Sequence, residues 1–352
     1  MNLTINKLPT KTWNRLNMNE TNISLEGKFK SHVPSVDTDE AQVIYKDNYD
    51  GDLLNTFNGE LEDFTKDSST YLIKTPKNVF MENPVILNYN YENDEHAVSR
   101  LFIHACENSV IKIVLVYRSL GDIDISAMQT YVYAEKNACV KIYLAQLLSD
   151  KSICLNNITG VCEENANVKL TRLDLGAAQT YSDVEIDLMG NDSRFKTEIG
   201  YHAVENQFVD MNYASYHYGK NTECLMAVNG TLEENSKKMF RGTIDFKQGC
   251  AGSRGTENEN VLLLGEEMSN GTIPLILCAE EDVEGNHGAS IGKLDEKILF
   301  YLGSRGISEH EAQNIIAMSR IENICNKFPN KGIREEIKNF ELGRGITHES
   351  KL

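Results

Sequence analysis

From about residue 71 to residue 292, short β-branched and aromatic runs alternate with Asn, Asp and Gly. Five seven-residue segments share one outline: ENSVIKI from Glu107, KNACVKI from Lys136, ENANVKL from Glu164, NDSRFKT from Asn191 and KNTECLM from Lys220. Their starts are 29, 28, 27 and 29 residues apart. Each holds a polar pair, two variable residues, an apolar residue, usually Lys, and usually another apolar residue. Alternation puts Ile111 and Ile113 on one face and Lys112 on the other, and Val140, Val168 and their neighbours repeat this. Apolar runs such as Tyr131 to Tyr133 and Val184 to Leu188 lie between the repeats, so each unit holds at least two strands and no convincing helix. A near-constant period with one face always apolar predicts a solenoid that stacks its core: a mainly β chain folded as a right-handed parallel β-helix. A sandwich is the alternative, although its turns need not recur at a constant period. The lysines at 112, 141, 169 and 196 are expected in solvent, interleaved with acids such as Asp187 and Glu198, since bare stacked lysines repel.

The pattern changes at both ends. From Lys293 the period is helical. Asp295 is a candidate N-cap, with Leu294 and Leu299 at staple positions, and Ser308 to Glu311 forms a capping box. The second helix shows a small or apolar face of Ala312, Ile315, Ile316, Ser319 and Cys325, with Met318 and Ile321 beside it, and Pro329 ends it. A third helix is predicted from Lys331 to Leu342, with Ile333, Ile337 and Phe340 on one face and Gly343 closing it. Residues 1–70 form a small mixed segment, in which Trp13 is a packing anchor. The expected domains are therefore 1–70, a β-helix core over 71–292 and a helical domain over 293–352. Asp47 to Asp52 resembles a calcium loop. Aligning Gly51 as its turn puts Lys46 and Phe57 at ligand positions, which excludes one.

Lys and Arg number 35 against 52 Asp and Glu, a formal net charge of −17. Nucleic acid and anionic lipid, both bound through cationic side chains, are therefore not the expected partners. No apolar run approaches the roughly 18 residues of a membrane span, and MNLTINKLPTKTW lacks a signal-peptide pattern, so the expected compartment is the cytoplasm. The eight cysteines form no C-x-x-C and are expected mostly as buried small hydrophobes. No phosphate loop, G-x-G-x-x-G, G-x-S-x-G or H-E-x-x-H occurs, so no catalysis is expected and any nucleotide chemistry belongs to a partner. Tyr213, Tyr216, His217 and Tyr218 could stack a flavin or pack, and packing is the first reading. Cys250 sits in a glycine-rich stretch where turn chemistry is the first reading and an accessible thiol the alternative.

One stretch joins the strand-like and helical regions. It runs through Glu280-Glu281-Asp282, the loop Gly285-Asn286-His287-Gly288, and on into LFYLGSRGI. A neutral imidazole at 287 can ligate iron, and the acidic run offers oxygen donors. On the residues alone, a histidine that hydrogen-bonds across a turn or interface is the first reading. The pattern DV-x3-HGA-x-I-G-x-LD-x3-LFYL-x-SRGI, however, resembles the SufD branch of the SufB/SufD scaffold proteins of iron–sulfur cluster assembly. LPTKTWNRLNMNET at residues 8–21 and, more loosely, residues 242–264 extend the likeness.

The resemblance reverses the order for His287, which falls on the family's histidine implicated in nascent-cluster binding at the SufB–SufD interface. It implies a non-catalytic scaffold that pairs with SufB and docks the SufC ATPase. Leu299, Phe300, Tyr301, Ser304, Arg305 and Gly306 are then the docking candidates. His287, with Glu281 or Asp282, is the candidate site for a transient metal or cluster. No permanent cofactor is expected, and ATP enters only through SufC. Many members carry a cysteine two residues before the histidine; here that position is Gly285, so that thiolate is missing. A SufB-like homodimeric scaffold and a β-helix carbohydrate-active enzyme are the alternatives.

Overall fold

The polar pairs mark corners. Asn108, Asn137, Asn165, Asp192 and Asn221, the second residue of each repeat, have φ of 56, 59, 55, 61 and 54°. This left-handed region is closed to most L-residues by Cβ sterics, and Asn and Asp enter it most readily because their short side chains bond locally. The amides then stack. Asn108 Nδ2 donates to Asn78 Oδ1, Asn137 to Asn108 and Asn165 to Asn137, each over 2.8 Å.

In the computed structural model, which describes every residue except 13, 39–43, 47–48, 93–95, 122 and 350–352, these corners connect two facing parallel sheets. The first sheet takes Thr70–Lys74, His96–Ala105, Ile125–Ala134, Ile153–Cys162, Gln179–Leu188, Phe208–His217, Lys237–Phe246 and Ser269–Cys278. The second takes Val85–Tyr91, Val110–Ser119, Cys139–Leu147, Asn167–Asp174, Arg194–Ala203, Glu223–Glu233, Ser253–Leu264 and Val283–Gly292. Consecutive strands alternate between the sheets, so the chain is a parallel β-solenoid of about eight turns. Val110, Cys139, Asn167, Arg194 and Glu223 pair in one column, which is the sequence period itself. Trp13, Asp47 and Asn48 lie outside the described residues.

Ile111, Ile113, Val140, Ile142, Val168 and Leu170 are 0–2% exposed in the shared core, as the alternation predicts. Each such side chain contributes about 1.5–3 kcal/mol by leaving water. Lys112, Lys141, Lys169 and Lys196 stack outward in register. Their expected acidic partners differ. Asp187 lies on the other sheet, and Glu198 accepts from Lys327.

Both outer faces are covered. The N-terminal pair Asn2–Ile5 and Thr21–Ser24, together with helix α1 (Glu62–Thr65), lies over the first sheet. There Ile5, Leu25 and Leu61 pack on Val98, Ile125, Ala127 and Leu155. Three helices follow the solenoid: α2 (Glu296–Gly303), α3 (Glu309–Cys325) and α4 (Lys331–Glu349). Ile321, Ile324, Cys325, Phe328, Ile333 and Ile337 pack on Val114, Val116, Ala145, Leu147, Leu173 and Leu175 of the second sheet.

Two helical expectations need correction. The buried face of α3 is Ala312, Ala317, Ile321, Ile324 and Cys325, while Ile315 and Ser319 are exposed, because α3 lies along the sheet on that stripe. Helix α4 also runs through Gly343. One glycine costs a helix only about 1 kcal/mol, and Arg344 anchors the next turn to the His202 carbonyl (3.0 Å) and Gln207 Oε1 (2.8 Å). His202, in turn, bridges Glu233 (2.7 Å) and Glu341 of α4.

Candidate functional site

The solenoid stops at Ser269–Cys278 and Val283–Gly292, each paired on one side only. His287 lies in the second of these strands and not in a loop. Val261, a core residue, pairs with Ile291, so the residues facing inward are Val283, Gly285, His287, Ala289 and Ile291. Glycines do not break this strand because the ladder to Ser253–Leu264 holds its backbone. His287 is exposed and faces the open end of the interior.

Glu281 and Asp282 do not accompany it. They precede His287 by five or six residues, roughly 16–20 Å of extended chain. This corner is built from backbone: the Asp282 carbonyl accepts from Gly252 N–H (2.7 Å) and Glu280 from Gly249 N–H (2.9 Å). The backbone N–H groups of Gly249 and Glu281 hold the Glu280 carboxyl below its usual range.

The acid in register with His287 is Glu257, one strand below on the same inner face and 3% exposed. Burial, and then the neighbouring Glu259 charge, push its carboxyl up to about 8. Glu259 is neutralised by Lys238, which also donates to the Gly271 carbonyl (3.0 Å) and Thr272 Oγ1 (2.9 Å). The floor beneath His287 is thus a neutral acid at pH 7 beside a closed ion pair. Glu257 went unread in the sequence, although the ENENV alternation puts Glu257 and Glu259 in phase with the core residue Val261.

Gly285 shares the inner face with His287, so a cysteine there would point the same way. In this chain a Cβ at Gly285 would lie 2.9 Å from Ile276 and 3.2 Å from Phe246; apolar side chains occupy the space. Cys278, the exposed cysteine, ends the partner strand in register with Phe246, which also faces inward. It sits at the corner near Val283, and His287 lies four residues, roughly 13 Å, further along. Cys250 is buried rather than accessible. Tyr213 and His217 face inward while Tyr216 faces out, so the four aromatic-run residues are not one group. The His217 imidazole is pulled down to about 4 by burial.

The docking candidates come together on α2 and its turn. Asp295 accepts from Lys297 N–H (2.8 Å), and Ser308 and Glu311 form the expected capping box. No residue of α2 is buried; Phe300 is 81% and Tyr301 57% exposed. Arg305 lies over the Tyr301 ring at 5.3 Å, Ser304 Oγ donates to the Tyr301 carbonyl, and Gly306 takes the left-handed turn at φ 85°.

Residues 88–319 match the family described as SUF system FeS cluster assembly, SufBD core domain. The chain is similar to the iron–sulfur cluster assembly protein SufD of Bacillus subtilis, 24% identical over 74% of this chain and 61% of the relative. It is 26% identical to an iron–sulfur cluster assembly SufBD family protein of Staphylococcus saprophyticus, over 73% of this chain and 56% of the relative. It is 29% identical to SufB of Bacillus subtilis over 48% of this chain and 36% of that protein. The chain therefore spans about three fifths of the first two relatives. With the match over the solenoid and into α3, the chain belongs to the SufBD core family of SUF-system iron–sulfur cluster assembly proteins.

Proposed function

We propose that this chain is a non-catalytic scaffold that pairs through its open solenoid end with a SufB-type β-helix and presents α2 to a SufC-type ATPase. The observation that carries this reading is the uncovered pair of last strands with His287 facing inward between Gly285 and Ala289. Open sheet edges are normally blocked, and one left open invites a strand from a partner. A partner strand there would enclose His287 and supply the thiolates that one histidine needs to hold a nascent cluster. ATP would act through the ATPase, since the chain carries no phosphate loop. The same edge also supports pairing with a second copy, because an isologous two-fold contact uses one surface twice.

The test is anaerobic co-expression with the SufB and SufC proteins of the source organism, with size and iron–sulfide analysis. His287→Ala should leave stability within about 0.5 kcal/mol, as an exposed side chain usually does, and leave pairing intact. Cluster formation should fall at least about ten-fold. A mutant complex that builds cluster at the normal rate refutes the assignment, and one that fails to pair makes His287 an interface residue. A homodimer that excludes SufB selects the second arrangement.

A further inference from the structure

A second set of donors converges far from the open end. His104 lies near the end of the strand His96–Ala105, Cys106 in the turn that follows, and Glu135 just after Ile125–Ala134, one coil on. His104 Nε2 is 2.7 Å from Glu135 Oε1 and 3.9 Å from Cys106 Sγ. All three ligand atoms lie within 4.8 Å of one another, and no other such trio occurs among the described residues. Bonds of about 2.0–2.3 Å to a tetrahedral ion separate its donors by roughly 3.4–3.7 Å. The sulfur stands near that spacing from the imidazole nitrogen, the imidazole–carboxylate pair must open by roughly 0.7 Å, and the sulfur–carboxylate distance, under 4.8 Å, must close somewhat.

We propose that His104, Cys106 and Glu135 bind a divalent transition-metal ion of the zinc type, with a fourth position left to water. Imidazole, thiolate and carboxylate together suit Zn2+. The site is built. His104 and Cys106 are 7% and 5% exposed, and the imidazole is held between the Phe102 and Tyr133 rings at 5.9 and 5.4 Å. Glu135 Oε2 is fixed by Glu107 N–H (2.9 Å), which leaves Oε1 toward His104. Burial disfavours the imidazolium, so the ring is neutral with its proton on Nε2 toward Glu135. An ion at Nε2 takes that proton's place as the ring's hydrogen shifts to Nδ1, and burial raises the Cys106 thiol. Binding therefore releases the Cys106 proton and tightens as pH rises.

Lys74 and Lys77 oppose a cation here, and Glu107 favours it. Lys77 is 4.0 Å from Glu135 but 60% exposed, so it can swing aside. The site depends neither on pairing nor on His287.

The test uses the full chain carrying His287→Ala and Cys278→Ser, which removes the open-end donors, and titrates Co2+ anaerobically. One Co2+ per chain should bind with a thiolate-to-cobalt charge-transfer band, and Zn2+ should displace it. Adding Cys106→Ser keeps the His104–Glu135 hydrogen bond, abolishes the band and weakens binding at least about ten-fold; a band that survives overturns the proposal. In the unsubstituted chain, Zn2+ should protect Cys106 from alkylation, mapped by mass spectrometry. Equal labelling with and without Zn2+ overturns it as well, whether or not the serine variant folds.

Discussion

The two ends of the solenoid are built in opposite ways. At the first end, Ile44–Lys46 pairs antiparallel with Thr70–Lys74, and Ser35–Asp37 with Val85–Tyr91, so a reversed strand blocks each sheet. His32 packs against Tyr91, ring centroids 4.7 Å apart and tilted by 42°, beside a fully buried interior of Tyr89, Leu87 and Val85. At the last end no strand follows among the described residues, the inward positions carry Gly285, His287 and Ala289, and Ile291 is 43% exposed. A reversed strand stops growth of a parallel stack, and its absence leaves backbone donors and acceptors unpaired. The first end is closed by the chain itself, whereas the last leaves its strand edges open.

The largest effect should separate these ends directly. Leu87→Ala at the closed end removes a fully buried side chain and should cost about 3 kcal/mol. Ile291→Ala at the open end should cost the free chain under about 1 kcal/mol yet lower the yield of any complex formed through that edge. Urea unfolding of both variants, alone and with partner, checks this. Equal losses in the free chain would show that the last strand is already covered.

A smaller effect concerns the helical cover on the second sheet. The His202 imidazolium between Glu233 and Glu341 is raised to about 9 by the two carboxylates, which outweigh burial, and Glu341 is depressed to about 2 despite burial. A raised histidine contributes stability that is full below about 6.5 and lost as pH climbs through 9. A depressed carboxylate contributes stability present above about 4.5 and lost as pH falls through 2. The clamp is therefore strongest between about pH 4.5 and 6.5 and fades toward pH 9. His202→Gln should cost roughly 2–3 kcal/mol at pH 6 and much less at pH 10. Stability measured at both values decides.

At the open end the sign reverses. Glu257, raised to about 8, is a neutral acid whose ionisation the fold resists. Its penalty grows from about pH 4.5 to 8 and is constant above. Glu257→Gln should stabilise the isolated chain by about 2 kcal/mol at pH 8 and by little at pH 4.5. The smallest effect on the fold is Arg305→Glu on the exposed turn after α2, within about 0.5 kcal/mol. It should nevertheless weaken SufC binding, and an unchanged pull-down would remove α2 from the docking surface.

The period near 28 residues, the alternating core positions, the outward lysine column and the caps at Asp295 and Ser308 were all legible in the sequence. Each is a local rule: residues two apart share a strand face, and a cap needs only its own turn. What pairs with what was not local. Asp187 looked like a partner for the lysines but lies on the other sheet, and Glu281 and Asp282 are adjacent to His287 in the chain yet most of a strand away in space. Glu257, thirty residues earlier, became its neighbour only because one coil of the solenoid returns the chain to the same column. The likeness in sequence pointed to His287. Only the tertiary structure decided that it sits on the inner face of an open edge, because strand parity follows from pairing, and pairing from the whole stack.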